Sequence, residues 1–279
     1  MDIKEKIRST RSIKIRNKKD LRYIAQIRKK LIYLPKFWIK SYGPSTPNDK
    51  RKKAKELLIT GSQQKKASTK ISQGIWLTKM AKVMSIEKDG ETYVIELGTA
   101  AGISCMYILL GLSEGGGGHV TTFEGSKKLA KLAEKSITRL IEKFDLKNVT
   151  FELIIGNFDE KLEPFVKKMD HTINIAFIDG NHREEATVNY HKIIRSVIEK
   201  DGIIVHDDIS WSNEMKRAWN TIQQMEGAER TVELYLGNQP SRGIIFLSTE
   251  AKRLQQKKIH LDCFLERIGR IALLKLKSA

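Results

Sequence analysis

Between Tyr93 and Val205 the sequence alternates short apolar runs with longer segments of helical periodicity. The runs are Tyr93–Leu97, His119–Phe123, Thr150–Ile155, Ile173–Ile178 and Ile203–Val205. Ser104–Leu112, Ser126–Phe144, Glu160–Lys168 and Glu184–Glu199 lie between them and repeat their apolar residues at helical spacing. Strand–helix alternation of this kind closes only as a parallel sheet with helices on both faces. Two further β-type runs, Thr231–Leu236 and Gly243–Leu247, surround the turn residues Gly237-Asn238-Gln239-Pro240, which is a hairpin signal. The expected fold is therefore α/β: a doubly wound, mostly parallel, seven-stranded sheet closed by a C-terminal antiparallel hairpin.

The chain has 279 residues, of which 40% are hydrophobic, enough for one α/β core with extensions. Its net charge of +18 is unevenly spread. Residues 1–82 hold 24 Lys+Arg against 5 Asp+Glu, residues 83–250 hold 19 against 26, and residues 251–279 hold 8 against 2. The basic charge thus lies wholly in the two ends, and the acidic centre argues against a nucleic-acid groove there.

Three parts follow from this reading: a basic helical extension over 1–74, the α/β domain over 75–250 and a basic helical tail over 251–279. In residues 1–40, Ile3, Ile7, Leu21, Ile24, Ile27, Leu31 and Leu34 recur at helical spacing among Lys and Arg, with Tyr23, Tyr33, Phe37 and Trp38 beside them. Two readings stay open for this amphipathic segment: peripheral contact with an anionic membrane, or packing on the domain or on a second subunit of an oligomer. Residues 42–48 read as a linker, 50–70 as a Lys-rich segment, first helical and then loose, and 74–84 as a helix entering the core.

Basic residues interrupt every apolar pair at the N-terminus, so no signal-peptide core is visible, and no uncharged apolar run has the length of a membrane span. The expected location is cytoplasmic, with the inner membrane surface as the site of any peripheral contact. Two cysteines, Cys105 and Cys263, form no disulfide framework, and Cys105 falls in an apolar helix pattern that suggests a buried, inert thiol.

The chemistry-bearing residues gather at strand ends. Val94-Ile95-Glu96-Leu97-Gly98-Thr99-Ala100-Ala101-Gly102-Ile103-Ser104 is a strand, a Gly-rich turn and a helix start. Such a turn lets the backbone approach a ligand and points free helix N–H groups at it. The dinucleotide fingerprint Gly-x-Gly-x-x-Gly is missing. At the end of the second run, Glu124, followed by Gly125, is placed to accept the two hydroxyls of a ribose; capping of the next helix is the plainer alternative.

The fourth run ends in Asp179-Gly180-Asn181-His182-Arg183 and the fifth in His206-Asp207-Asp208. Adjacent strands in a parallel sheet end at one rim, so Asp179, Asp207 and Asp208 are expected to converge. An all-oxygen cluster of this kind suits Mg²⁺, Ca²⁺ or Mn²⁺. The plainer alternative is a helix cap beside a solvated charge. His206 and Trp211 read as structural residues, Trp211 with the alternative of lining a substrate mouth.

The spacing of Gly98 and Gly102 behind Glu96 resembles motif I of class I S-adenosylmethionine-dependent methyltransferases, which are Rossmann-like. Asp179, with His182 three residues on and the Asp207-Asp208 pair ending the next strand, resembles the metal-dependent O-methyltransferases, both catechol-type and bacterial sugar or macrolide enzymes. The catechol-type enzymes carry Asp-Asn where this chain has Asp-Asp. The resemblance covers about residues 75–250.

It implies S-adenosylmethionine as cofactor, held by Glu96, Gly98, Thr99, Ala100, Gly102, Ser104, Glu124, Gly125 and Asp179, with Asn157 and Phe158 around the adenine. It also implies Mg²⁺ or another divalent cation on Asp179, Asp207 and Asp208. Catalysis is assigned to Asp179 and to His182, the latter as the base that takes the acceptor's proton at neutral pH. The acceptor class is a small-molecule or glycan hydroxyl. A nucleic-acid methyltransferase is a competing reading allowed by the basic ends, but no Asn-Pro-Pro-Tyr or Asp-Pro-Pro-Tyr motif is present. A non-catalytic binding module with basic arms is the third.

Overall fold

The computed structural model describes residues 18–50, 53–236, 239–247 and 259–260. The N-terminal part comprises α1 (Lys18–Lys30), a single 3₁₀ turn (Leu31–Tyr33), β1 (Phe37–Ser41), β2 (Lys55–Ile59), α2 (Gly61–Ala67) and α3 (Ile71–Glu87). The α/β part follows as β3 (Tyr93–Leu97), α4 (Ile103–Gly115), β4 (Gly118–Glu124), α5 (Lys127–Phe144), β5 (Val149–Ile155), α6 (Phe158–Val166), β6 (Ile173–Ile178), α7 (Glu184–Arg195), β7 (Ile198–His206), α8 (Asn213–Glu226), β8 (Thr231–Leu236) and β9 (Gln239–Phe246). A two-residue strand, β10 (Ile259–His260), completes the series.

The main sheet has the order β10-β8-β9-β7-β6-β3-β4-β5. Strands β3 to β7 are mutually parallel, while β9 runs antiparallel between β7 and β8. The expected seven strands and closing hairpin are therefore present, and β10 adds a short parallel edge beyond β8. Side chains alternate across the sheet, as strand geometry requires. Val94, Val120, Ile175 and Phe177 enter one apolar layer with α1, α3 and α4. Ile95, Phe123, Ala176 and Ile178 enter the other with α6, α7 and α8. The chain runs outward from β3 through β4 to β5, then returns to place β6 on the other side of β3. Connections diverge at that point, so a crevice opens outside the carboxyl ends of β3 and β6.

The N-terminal region departs from the helical expectation. The helix stops at Lys30 because Pro35 cannot continue it and drives Leu34 to an extended conformation, with φ −63° and ψ 136°. The chain then forms an antiparallel two-stranded ribbon, Phe37 opposite Ile59 and Ser41 opposite Lys55. The apolar face of α1 is spent on the domain itself: Leu21 and Ile24, with Leu31 of the 3₁₀ turn, are buried in its core, and Tyr23 meets Phe144 of α5 edge-on at 5.4 Å between ring centroids. The apolar positions Ile3 and Ile7 and the tail 261–279 lie outside the described residues. None of the described helices is long and apolar enough to cross a membrane.

Candidate active site

At the tip of β3 the backbone turns sharply. Gly98 has φ +106°, and a Cβ there would stand 2.1 Å from the carbonyl oxygen of Asp179, so only glycine lets β3 and β6 end this close together. Gly102 has φ +80° and begins α4; no side chain caps the helix there, so its first-turn N–H groups face the crevice without a protein partner of that kind. That is an anion-binding end, suited to the carboxylate of an amino-acid group.

Behind the loop lies a buried hydrogen-bonded string. Glu96 is fully buried and accepts from Thr122 Oγ1 at 2.5 Å, and Thr122 in turn meets Thr99 Oγ1 at 2.5 Å. Burial raises the Glu96 carboxyl to about 7, opposed by the hydroxyls of Ser104 and Thr122. Glu96, Thr99 and Ser104 thus brace the loop from within the domain.

Glu124 ends β4 beside this loop. Its carboxylate accepts from the backbone N–H of Ala100 at 2.8 Å and of Ser126 at 2.8 Å. Burial raises it to about 7, and the N–H groups of Ser126, Ala100 and Gly125 act in the opposite direction. Each oxygen uses one acceptor position on the backbone and keeps another for a ligand hydroxyl. The ribose reading and a role in fixing the loop are therefore compatible.

At the tip of β5, Asn157 caps α6 by accepting from the N–H of Asp159 at 3.3 Å. Asp159 accepts from the Tyr190 hydroxyl at 2.5 Å. Phe158 is buried against Phe123 and Tyr190, and a Cβ on Gly180 would come within 2.5 Å of its ring. It forms a floor beneath the β6 tip.

The acidic cluster is not the one expected. Asp179, His182 and Asp208 converge, with their nearest ligand atoms all within 4.8 Å of one another. His182 Nε2 lies 3.7 Å from Asp179 and 3.8 Å from Asp208. Asp207 faces elsewhere: both its oxygens accept from the buried Arg242, at 2.8 Å from Nε and 3.1 Å from Nη2. Arg242 is itself sandwiched between the Trp76 and Phe177 rings. A carboxylate held this way has its charge answered, so His182 takes the third place in the cluster.

Burial, reinforced by Asp207 and Asp208, pushes Asp179 well above the usual carboxylate range. Burial and Asp207 push Asp208 upward as well. These two carboxylates lack a cation as close as the one Asp207 has, which is the electrostatic condition a divalent ion relieves. Trp211 stands 5.5 Å from the His182 ring. His206 is buried and points away from the cluster, its Nε2 3.3 Å from His191 Nδ1.

One part of the site was not foreseen. The segment 42–48, read as a linker, crosses the carboxyl edge of the sheet together with Asp49. A Cβ on Gly125 would stand 2.8 Å from the Tyr42 ring, and one on Gly43 would stand 2.9 Å from Asn181 Cα. Arg183 Nη2 donates to the Asp49 carbonyl at 3.1 Å. The sequence signal available was an aromatic residue within the Tyr42-Gly43-Pro44 turn; the contacts of Tyr42 and Gly43 lie 83 and 138 residues away and carry no local signature.

The fold is Rossmann-like, a doubly wound and mostly parallel sheet with its Gly-rich loop and acidic cluster at one edge. Residues 95–209 match a family model described as a methyltransferase domain. An uncharacterized protein of Acanthamoeba polyphaga mimivirus is 26% identical over 152 residues, which is 50% of this chain and 62% of that protein, so the match spans less than two thirds of its length.

Among solved structures, the O-methyltransferase from Bacillus cereus in complex with SAH superposes with a TM-score of 0.54 at 18% identity, covering 86% of this chain and 96% of that one. The O-methyltransferase TomG from Streptomyces achromogenes, involved in tomaymycin synthesis and in complex with SAM, gives a TM-score of 0.54 at 14% identity, covering 85% and 93%. At these identities the likeness is one of fold.

Proposed function

We propose that the protein transfers a methyl group from S-adenosylmethionine to a hydroxyl of a small molecule or glycan. The observation that carries this reading is the meeting of Asp179, His182 and Asp208 at the carboxyl edge of the sheet, beside the Gly98–Gly102 loop. When bound, S-adenosylmethionine supplies an electrophilic methyl group on a sulfonium. The uncapped start of α4 suits its carboxylate and Glu124 its ribose hydroxyls.

His182 Nε2 stands 3.7 Å from Asp179 and 3.8 Å from Asp208 at the rim, where it is placed to take the acceptor's proton as the oxygen attacks. Asp179 and Asp208 are the residues that would hold a divalent ion, which lowers the pKa of a hydroxyl bound to it. The two carboxylates are hard oxygen donors that fit such an ion, with His182 beside them kept for the proton. Asp207, engaged by Arg242, does not contribute to that set.

The test is calorimetric titration of S-adenosylhomocysteine and, separately, NAD, followed by methyl-transfer assays on sugars and phenols with and without EDTA. Binding of S-adenosylhomocysteine but not NAD is expected, weakened at least tenfold by Glu124→Ala. His182→Ala should lower kcat by roughly 10²–10⁴ while leaving S-adenosylhomocysteine affinity unchanged. No heat with S-adenosylhomocysteine would remove the reading altogether.

A further inference from the structure

The strap formed by residues 42–49 touches the site at two places that flank β3. Tyr42 sits on Gly125, the residue after Glu124 at the tip of β4, and Gly43 sits against Asn181, two residues past Asp179 at the tip of β6. In the sheet β4 and β6 lie on either side of β3, so they are roughly 10 Å apart. The dipeptide Tyr42-Gly43 therefore bridges the rim above the Gly-rich loop. Further along, the carbonyl of Asp49 is held by Arg183, and the Asp49 carboxylate accepts from both the N–H and the hydroxyl of Ser45 at 2.9 and 2.8 Å, folding the strap into a compact turn.

The position of Tyr42 along this rim is specific. The reaction end of the crevice is marked by His182 and Asp208, and the opposite end by Glu124. Tyr42 is at the Glu124 end, over the glycine between Glu124 and the helix-capping Ser126. The rim continues to Gly156 at the tip of β5, whose carbonyl oxygen is 3.9 Å from where a Gly125 Cβ would stand. Lys40 Nζ approaches the Tyr42 ring at 5.2 Å from its centroid, supporting it from the ribbon. A half-buried aromatic ring on a glycine, next to the carboxylate that suits a ribose, is the kind of surface against which a nucleobase stacks.

Resting on the reading of the site as an S-adenosylmethionine pocket, we propose that Tyr42 is a cofactor-binding residue whose ring forms the outer wall of the nucleoside pocket. The N-terminal strap thereby completes a site that the α/β domain alone leaves open. Glycine at 125 is then required because a methyl group there displaces the ring. Arg183 acts as a positioning residue that keeps the strap seated without touching the cofactor.

The test is calorimetry on the full chain with S-adenosylhomocysteine and with adenosine, which lacks the amino-acid arm. Tyr42→Ala is expected to weaken both ligands by the same factor, about tenfold. Tyr42→Phe should stay within about twofold of the unmodified protein, because the ring and not the hydroxyl makes the wall. Arg183→Ala should weaken S-adenosylhomocysteine less than Tyr42→Ala does and raise its dissociation rate.

Thermal melting of each variant without ligand separates misfolding from loss of contact. If Tyr42→Ala melts below the unmodified protein, Tyr42→Phe and Tyr42→Leu are compared instead, and equal affinities for those two overturn the proposal. Unchanged affinity in a folded Tyr42→Ala variant also overturns it, as does weakening of S-adenosylhomocysteine without weakening of adenosine. Failure of the unmodified protein to bind either ligand condemns the cofactor reading itself and is distinct from these outcomes.

Discussion

Asp207 and Asp208 are adjacent and chemically identical, yet the structure gives them opposite tasks. Asp207 still belongs to the end of β7, its N–H bonded to the Ile178 carbonyl, and its side chain enters the interior toward Arg242. Asp208 has φ +55° and turns out to the crevice. The prediction is a crossed pair of effects. Asp207→Asn leaves the fully buried Arg242 charge unanswered and should cost about 3–5 kcal/mol of stability. Asp208→Asn should leave the melting temperature nearly unchanged but abolish the heat of Mg²⁺ or Mn²⁺ titration. Thermal melts and calorimetry of both variants check this, and a stable Asp207→Asn protein that has lost metal binding would reverse the assignment.

A second residue-level prediction concerns Glu96, raised to about 7 by burial. The folded state holds its proton more tightly than the unfolded chain, where the carboxyl sits near 4.5. Stability from this group is therefore full below about pH 4.5 and lost as pH rises through about 7, a loss on the order of 3 kcal/mol. Glu96→Gln removes that dependence, so its stability relative to the unmodified protein should rise between pH 4.5 and 7 in urea titrations. Parallel curves would show that Glu96 keeps an ordinary affinity for its proton.

At the level of elements, the parallel strands and their helices were legible because they are long, apolar and periodic. What escaped was decided by distant partners. The ribbon β1–β2 hides in a Lys-rich stretch because half of its side chains face water, leaving only Phe37, Ile39, Leu57 and Ile59 as its inward row. The start of β7 at Ile198 carries Glu199, Lys200 and Asp201, and reads as the end of the preceding helix. The Gly-rich loop and Glu124 were legible because their spacing is local. The exclusion of Asp207 from the acidic cluster was not, since Arg242 is 35 residues away.

The packing of α3 on α4 is likewise invisible in periodicity, because both helices are buried nearly all round. Two glycines let them approach. A Cβ on Gly74 would stand 2.1 Å from the Tyr107 ring, and one on Gly111 would stand 2.1 Å from the Thr78 carbonyl oxygen. Alanine in a helix gains about 1 kcal/mol over glycine, but forcing a methyl group against backbone costs up to about 3 kcal/mol. The cost wins, and Gly111→Ala should lower stability by roughly 1–2 kcal/mol. An unchanged or raised melting temperature would mean that the helices are less closely packed than described.

For the whole molecule, the basic charge of the N-terminal region surrounds a helix, α1, whose apolar face is spent inside the domain. Residues 1–82 carry 24 Lys+Arg against 5 Asp+Glu, around a domain whose residues 83–250 are net acidic. A helix that inserts into a lipid interface needs both a basic face and a free apolar face. In α1 the apolar face is already occupied, with Ile24 fully buried and Leu21 nearly so. Attraction of α1 to an anionic surface is then a matter of charge, worth about 1 kcal/mol per lysine or arginine near the surface and confined to roughly a Debye length.

The expected behaviour is sedimentation of the full chain with phosphatidylserine-containing vesicles at low salt and full release at about 0.5 M salt, where screening shortens that range to only a few ångströms. Binding that survives high salt would require apolar insertion, through the exposed Tyr33, Trp38 and Leu58 or through release of α1 from the core. Removing residues 18–34 is not a neutral control, because it strips the apolar layer on α4 and α5. It should lower the melting temperature even with no membrane present.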